Sequence, residues 1–172
     1  MATIPPMYLS YAREDEAWSR ALAEALRQLG ADVWMAGGSV GAAGDLIDRA
    51  AREIRARPIF VLVLSPATLA SPYVLREAQL AGQLEQTEPG RLFIPFTLAP
   101  VQLAGTPLAF VERYQTFMVT SDRPEQAARM VAQLAGDQEE RVRGGAYGAR
   151  GPTTGAPAPS APAPSAPPPD AG

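Results

Sequence analysis

Ile59-Phe60-Val61-Leu62-Val63-Leu64 leads through Ser65-Pro66 and a short connection into Ser71-Pro72-Tyr73-Val74-Leu75-Arg76-Glu77. The first stretch is unbroken apolar and β-prone, as a strand covered on both faces has to be. In the second, Ser71 can accept a bond from an orphan amide, and Pro72 has no amide to satisfy. That is the pattern of an N-cap and a first helical residue. Tyr73 and Glu77 are one helical turn apart and therefore share a side of the helix. Together the two stretches predict a buried strand followed by a helix carrying an aromatic ring and a carboxylate near the strand's end. A helical Glu is ordinarily solvated, so the case for Glu77 rests on the rest of the chain.

Upstream, Met7-Tyr8-Leu9-Ser10-Tyr11 is short and β-prone, and Glu14 and Asp15 follow it where a helix begins. Trp18, Leu22, Leu26 and Leu29 repeat at helical spacing until Gly30. Ala31 to Met35 predicts a second strand, with Trp34 as a core residue. The loop from Ala36 to Gly44 is Gly-rich and flexible. It lacks the Gly-Lys-Ser/Thr of a phosphate loop and the opening Gly-x-Gly of a dinucleotide fingerprint. Asp45 opens a helix with Leu46, Ile47, Ala50, Ala51 and Ile54 on one face. Downstream of the quoted helix, which should end near Pro89-Gly90, Leu92 to Phe96 predicts a fourth strand. Pro95, having no amide, argues against a central place for it. Tyr114 to Val119 predicts an edge-like fifth strand, and Asp122 with Glu125 predicts a capped final helix.

The chain has 172 residues, one domain's worth, and 47% hydrophobic content, enough for a sizeable core. All 15 basic residues are Arg, and Cys and His are both absent. Schiff-base lysines, thiol catalysis, disulfides, Ser-His triads and zinc sites of the usual ligands are thereby excluded. A net charge of -3 gives no support to nucleic-acid binding. Met1 to Pro6 has no basic or apolar leader pattern and no apolar run is long enough to span a bilayer, so a cytoplasmic protein without membrane association is expected. From Gly144 onward Pro, Ala, Ser and Gly predominate. Such a composition cannot bury enough surface to fold, and an extended spacer is expected. The domain division drawn is 1–138 folded and 139–172 tail or linker.

Strands alternating with helices predict an α/β flavodoxin-like three-layer fold with a five-stranded parallel sheet. The common strand order is 2-1-3-4-5, with ligands bound outside the carboxyl ends of strands 1 and 3. Ser10 to Arg13, Ser65 to Tyr73 and the Gly-rich loop converge there. Phosphorylatable receiver domains share that order, but they need an Asp after strand 3, where Ser65-Pro66 stands, and a Lys that this chain lacks.

Tyr8-Leu9-Ser10-Tyr11 with Glu14-Asp15 resembles the Phe-Ile-Ser-Tyr-Ser-x-x-Asp opening of bacterial-type TIR (Toll/interleukin-1 receptor) domains. Val33-Trp34 is similar to their second strand, and Gly44-Asp45 to the close of their BB loop. Val61 to Pro66 with Leu69 to Tyr73 and Glu77 resembles their Val-Val-Leu-Ser-x-x-Tyr-x-x-Ser-x-Trp-Cys-x-x-Glu block, and Phe93-Ile94-Pro95 their fourth strand. Tyr73 stands for the usual Trp, Val74 for Cys, and Ala36 for a common acidic residue.

The resemblance implies an NAD⁺ glycohydrolase in signalling or innate immunity, with Glu77 as the catalytic carboxylate. It implies Ser10, Tyr11, Arg13, Gly44 and Tyr73 as substrate-binding residues, with no metal and no cofactor beyond NAD⁺ as substrate. Its implied partners are other TIR domains, by self-association through the loop, and a fused or separate sensor domain. The alternative is a non-catalytic TIR–TIR interaction module, and a third reading is a sensor that binds the nucleotide without cleaving it.

Overall fold

A computed structural model describes residues 4–36, 43–119 and 122–144. In chain order the elements are β1 (Met7–Ser10), a 3-10 turn (Arg13–Asp15), α1 (Glu16–Gln28), β2 (Val33–Met35) and α2 (Ala43–Ala56). Then come β3 (Ile59–Leu64), α3 (Pro66–Leu69), α4 (Pro72–Thr87), β4 (Leu92–Thr97), a second 3-10 turn (Ala109–Arg113), β5 (Phe117–Met118) and α5 (Pro124–Arg143). The strands form one parallel sheet in the order β2-β1-β3-β4-β5, as the alternation of elements predicts.

Side-chain alternation divides the core between the two faces of the sheet. Met7, Leu9, Val61 and Val63 lie on the face covered by α1 and α5. Tyr8, Phe60, Leu62 and Leu64 lie on the face covered by α2 and α4. β3 is buried along its whole length, as its apolar run requires. Trp18, Leu22 and Leu26 of the expected α1 stripe are buried, whereas Leu29, at the C-cap, is exposed because the helix has ended before it. Gly30 follows, with a φ of 89° that is open to glycine at no steric cost.

Five details differ from expectation. β4 lies inside the sheet despite Pro95. The amides of Leu92 and Leu98 donate towards β3, to Pro58 and Leu64, so alternation turns the Pro95 nitrogen towards β5. There β4 pairs only at Phe96 and Thr97. The missing donor is tolerated beyond the end of that ladder, and β5, at Phe117–Met118, is shorter than the expected Tyr114 to Val119. The connection after β3 folds into α3, with the Ser65 amide donating to Thr68 Oγ1 at 2.9 Å and that hydroxyl donating to the Val63 carbonyl. α2 begins at Ala43, before Asp45. α5 begins at Pro124, with Arg123 at the N-cap position and making no capping bond through its own side chain, because proline's fixed φ sets the first helical position there.

α5 runs on to Arg143, so residues 139–143, assigned above to the tail, are helical. Residues 37–42 of the Gly-rich loop and 145–172 of the Pro-rich segment lie outside the described residues. No helix among the described residues is long and apolar enough to cross a membrane.

Candidate functional site

The C-terminal end of β1 and the first turns of α4 bring the chemistry together. Pro72 starts α4, and Ser71 caps it by accepting from the Val74 amide at 3.4 Å. One turn further on, Glu77 meets β1, where Ser10 Oγ donates to its Oε2 at 2.5 Å. Ser10 is fully buried. Tyr8, two residues earlier in the strand, shares its face.

The Tyr8 ring belongs to a row built by strand register, in which Tyr8 aligns with Trp34 on one side and Phe60 on the other. Its centroid lies 4.7 Å from that of Trp34 and 5.5 Å from that of Phe60, both stacked. The hydroxyl is buried and makes no hydrogen bond of good geometry, yet it stands near enough to Glu77 to interact with its carboxylate.

Glu77 is one wall of a cleft of about 490 Å³, a size suited to a small molecule. Tyr11 and Arg13 enter it after β1, Trp34 and Ala36 from β2, and Tyr73 and Arg76 from α4. α2 supplies Arg49 and the apolar face that includes Leu46, Ile47 and Ile54. Aromatic and aliphatic walls, three guanidinium groups and a partly buried carboxylate thus converge at the switch point between β1 and β3. Burial lifts the Glu77 carboxyl above its ordinary pKa, while the Ser10 hydrogen bond, and then the nearby Tyr8 hydroxyl, pull it back down.

Beside the cleft, Ser65 Oγ donates to Asp15 Oδ2 at 2.5 Å and ties the turn after β1 to the end of β3. Burial raises the Asp15 pKa, and the Ser65 bond opposes that shift. Among the described residues no group of three or more His, Cys, Asp or Glu side chains is arranged to hold a metal.

Of the residues singled out in the sequence, Glu77, Tyr11, Arg13 and Tyr73 line this one cleft. Tyr73 is 49% exposed, free to meet a ligand. Ser10 is spent on Glu77 and does not open onto the cleft. Gly44 lies in the first turn of α2, exposed and outside the lining. Trp34, expected as core, forms part of the wall, and Arg49, Arg76 and Tyr8 are additions. The period of two in β1 is the signal that puts Tyr8 and Ser10 on one face. Only the packing of α4 on that face linked either of them to Glu77.

A family model described as "TIR domain" matches residues 7–134. Among solved structures, the crystal structure of the TIR domain of the Toll-related receptor TRR-2 from Hydra magnipapillata superposes with a TM-score of 0.55 at 16% identity. That match covers 77% of this chain and 97% of the Hydra chain. A metazoan TIR-STING receptor from C. gigas, solved in complex with 2',3'-cGAMP, gives 0.60 at 18% identity, covering 79% of this chain and 40% of that one. At such identities the likeness is one of fold. No curated protein matches the sequence. The match to the family runs from β1 into α5 and takes in every strand of the sheet, and this chain belongs to the TIR domain family.

Proposed function

We propose that this TIR domain is an NAD⁺ glycohydrolase that cleaves the nicotinamide–ribose bond, with Glu77 as the reacting carboxylate. The observation that carries the reading is Glu77 itself: a partly buried carboxylate, held by Ser10, on the wall of a cleft with aromatic and cationic sides. An assembly module has no use for an acid whose burial opposes its ionisation.

In the reaction the C1′–N bond breaks with its electron pair passing to the nicotinamide nitrogen, which leaves as a neutral base. No general acid is required, which suits a chain without His or Cys. The ribose is left as an oxocarbenium-like cation, and the Glu77 carboxylate stabilises it at short range in a site of low polarity. Water then adds to C1′ and releases a proton. Tyr73 and Trp34 offer faces for the nicotinamide and ribose. Arg13, Arg49 and Arg76 offer charge-assisted bonds to the diphosphate. Self-association with other TIR domains, a cytoplasmic setting and a role in signalling or defence belong to the same proposal.

The test is nicotinamide release from NAD⁺ by the full chain, over a range of protein concentrations, beside Glu77→Gln. Release that falls at least about 100-fold in the variant supports the reading. Folded protein that releases none at any concentration overturns it and leaves a non-catalytic TIR–TIR module.

A further inference from the structure

We propose that Tyr8 is a positioning residue for Glu77, its buried hydroxyl acting from β1 as a second donor to the carboxylate that Ser10 holds. The inference rests on the reading of Glu77 as the reacting group. Its geometric basis is threefold. The ring is fixed between Trp34 and Phe60 by strand register. Alternation places Tyr8 on the same face of β1 as Ser10, whose hydroxyl reaches Glu77 at 2.5 Å. The Tyr8 hydroxyl is buried and, among the described residues, has no hydrogen bond of good geometry.

A buried hydroxyl in that state costs about 1–3 kcal/mol, which a Phe of nearly the same shape would avoid. A purely structural account of the ring therefore leaves the oxygen unexplained. The carboxylate beside it supplies the explanation. Ordinary small motions close the gap, and the bond favours the ionised carboxylate, the form that stabilises a ribosyl cation.

The surrounding charges agree with a donor role. Glu77 faces the hydroxyl from α4. Glu53 acts on it from α2, where it is paired with Arg57, and Tyr11 acts from beyond the end of β1. Arg13, Glu16, Arg49 and Arg76 complete the charged lining of the cleft. Burial first, and then the negative charge of Glu77, push the Tyr8 phenol upward. It therefore stays protonated throughout the working range.

The test is Tyr8→Phe in the full chain, followed by three readings. Thermal stability should hold or rise at acid pH, where Glu77 is protonated, and that gain should shrink towards neutral pH, where the ionised carboxylate has lost a donor. The acid limb of the kcat/KM profile for nicotinamide release should move to higher pH, with rates on that limb lowered roughly three- to tenfold. Carboxyl carbon-13 NMR should show Glu77 titrating at higher pH in the variant than in the parent. An unmoved limb with an unmoved titration would overturn the proposal. If the parent releases no nicotinamide, the enzymatic reading fails by itself. The NMR titration then decides the Tyr8–Glu77 contact alone.

Discussion

Ser10 and Glu77 are 67 positions apart in the chain and 2.5 Å apart in the fold, joined by one hydrogen bond between a strand and a helix. Ser10 is fully buried, so its hydroxyl cannot be replaced by bulk water. Ser10→Ala should leave Glu77 partly buried with one fewer donor and should cost about 1–3 kcal/mol by urea denaturation. In a Glu77→Ala background the same substitution should cost clearly less, because its partner is gone. Equal costs in the two backgrounds would mean that the contact carries no coupling. Nicotinamide release should fall roughly tenfold at neutral pH in Ser10→Ala, mainly in kcat.

The carboxylate opposes the stability of the fold that holds it. Burial raises the Glu77 pKa above its unfolded value, so the native state binds more protons than the unfolded state between those two pKa values. Stability then falls as pH rises through that window. Glu77→Gln removes the cost of the charge, keeps the shape and should be more stable than the parent at neutral pH. Melting temperature should rise about 2–4 °C for each kcal/mol recovered. The gap should close as the pH is lowered through the ordinary carboxylate range, where Glu77 is protonated in both states. A parent more stable than Glu77→Gln at neutral pH would show that the Ser10 bond and the nearby Tyr8 hydroxyl outweigh burial.

Much of this arrangement is written locally. The apolar run of β3, the Ser71-Pro72 start of α4 and the stripe on α1 each follow from nearest-neighbour chemistry, and the structure has them where those rules put them. Sheet order followed from alternating strands and helices, which restrict a chain of this size to few topologies. What could not be read is which side chains meet across elements. Trp34 looks like core because large aromatics usually are, and its place on the cleft depends on how β2 and α2 border the open end of the sheet. Pro95, which has no amide to donate, reads as a sign of an outer strand. It argued wrongly against an interior strand, because only the side to which its nitrogen points matters, and that depends on register.

Gly82 shows a constraint of the same non-local kind. A Cβ placed on it would lie 2.6 Å from Phe110 Cε2, so the second 3-10 turn approaches α4 more closely than Ala allows. Gly82→Ala gains helix propensity yet has to displace the Phe110 ring, which packs edge-on against Phe93 at 6.0 Å between centroids. A net loss of about 1–2 kcal/mol is expected in chemical denaturation. Combining it with Phe110→Leu should recover part of that loss, whereas simple additivity would place the strain elsewhere.

Arg91 holds the far end of the helix that walls the cleft. Its Nη1 donates to the carbonyls of Ile54 and Arg57 at 3.0 Å each, and its Nη2 donates to that of Arg55 at 2.6 Å. Its Nε donates to Glu88 at 2.5 Å. The carbonyls of Ile54 and Arg55 lie in the last turn of α2, where acceptors have no partner within the helix and the helix dipole favours a cation. Arg91→Ala should therefore cost about 2–3 kcal/mol. Arg91→Lys should recover little of it, because an ammonium lacks the planar fork that serves several oxygens at once. Amide exchange should quicken in α2 more than in α1, since α2 loses the cap while α1 keeps its packing against α5. Uniform acceleration across both helices would instead mean that Arg91 supports global stability and not the end of α2. Because α2 also presents Ile54 and Arg49 to the cleft, NAD⁺ should bind Arg91→Ala more weakly even at temperatures where the variant is fully folded.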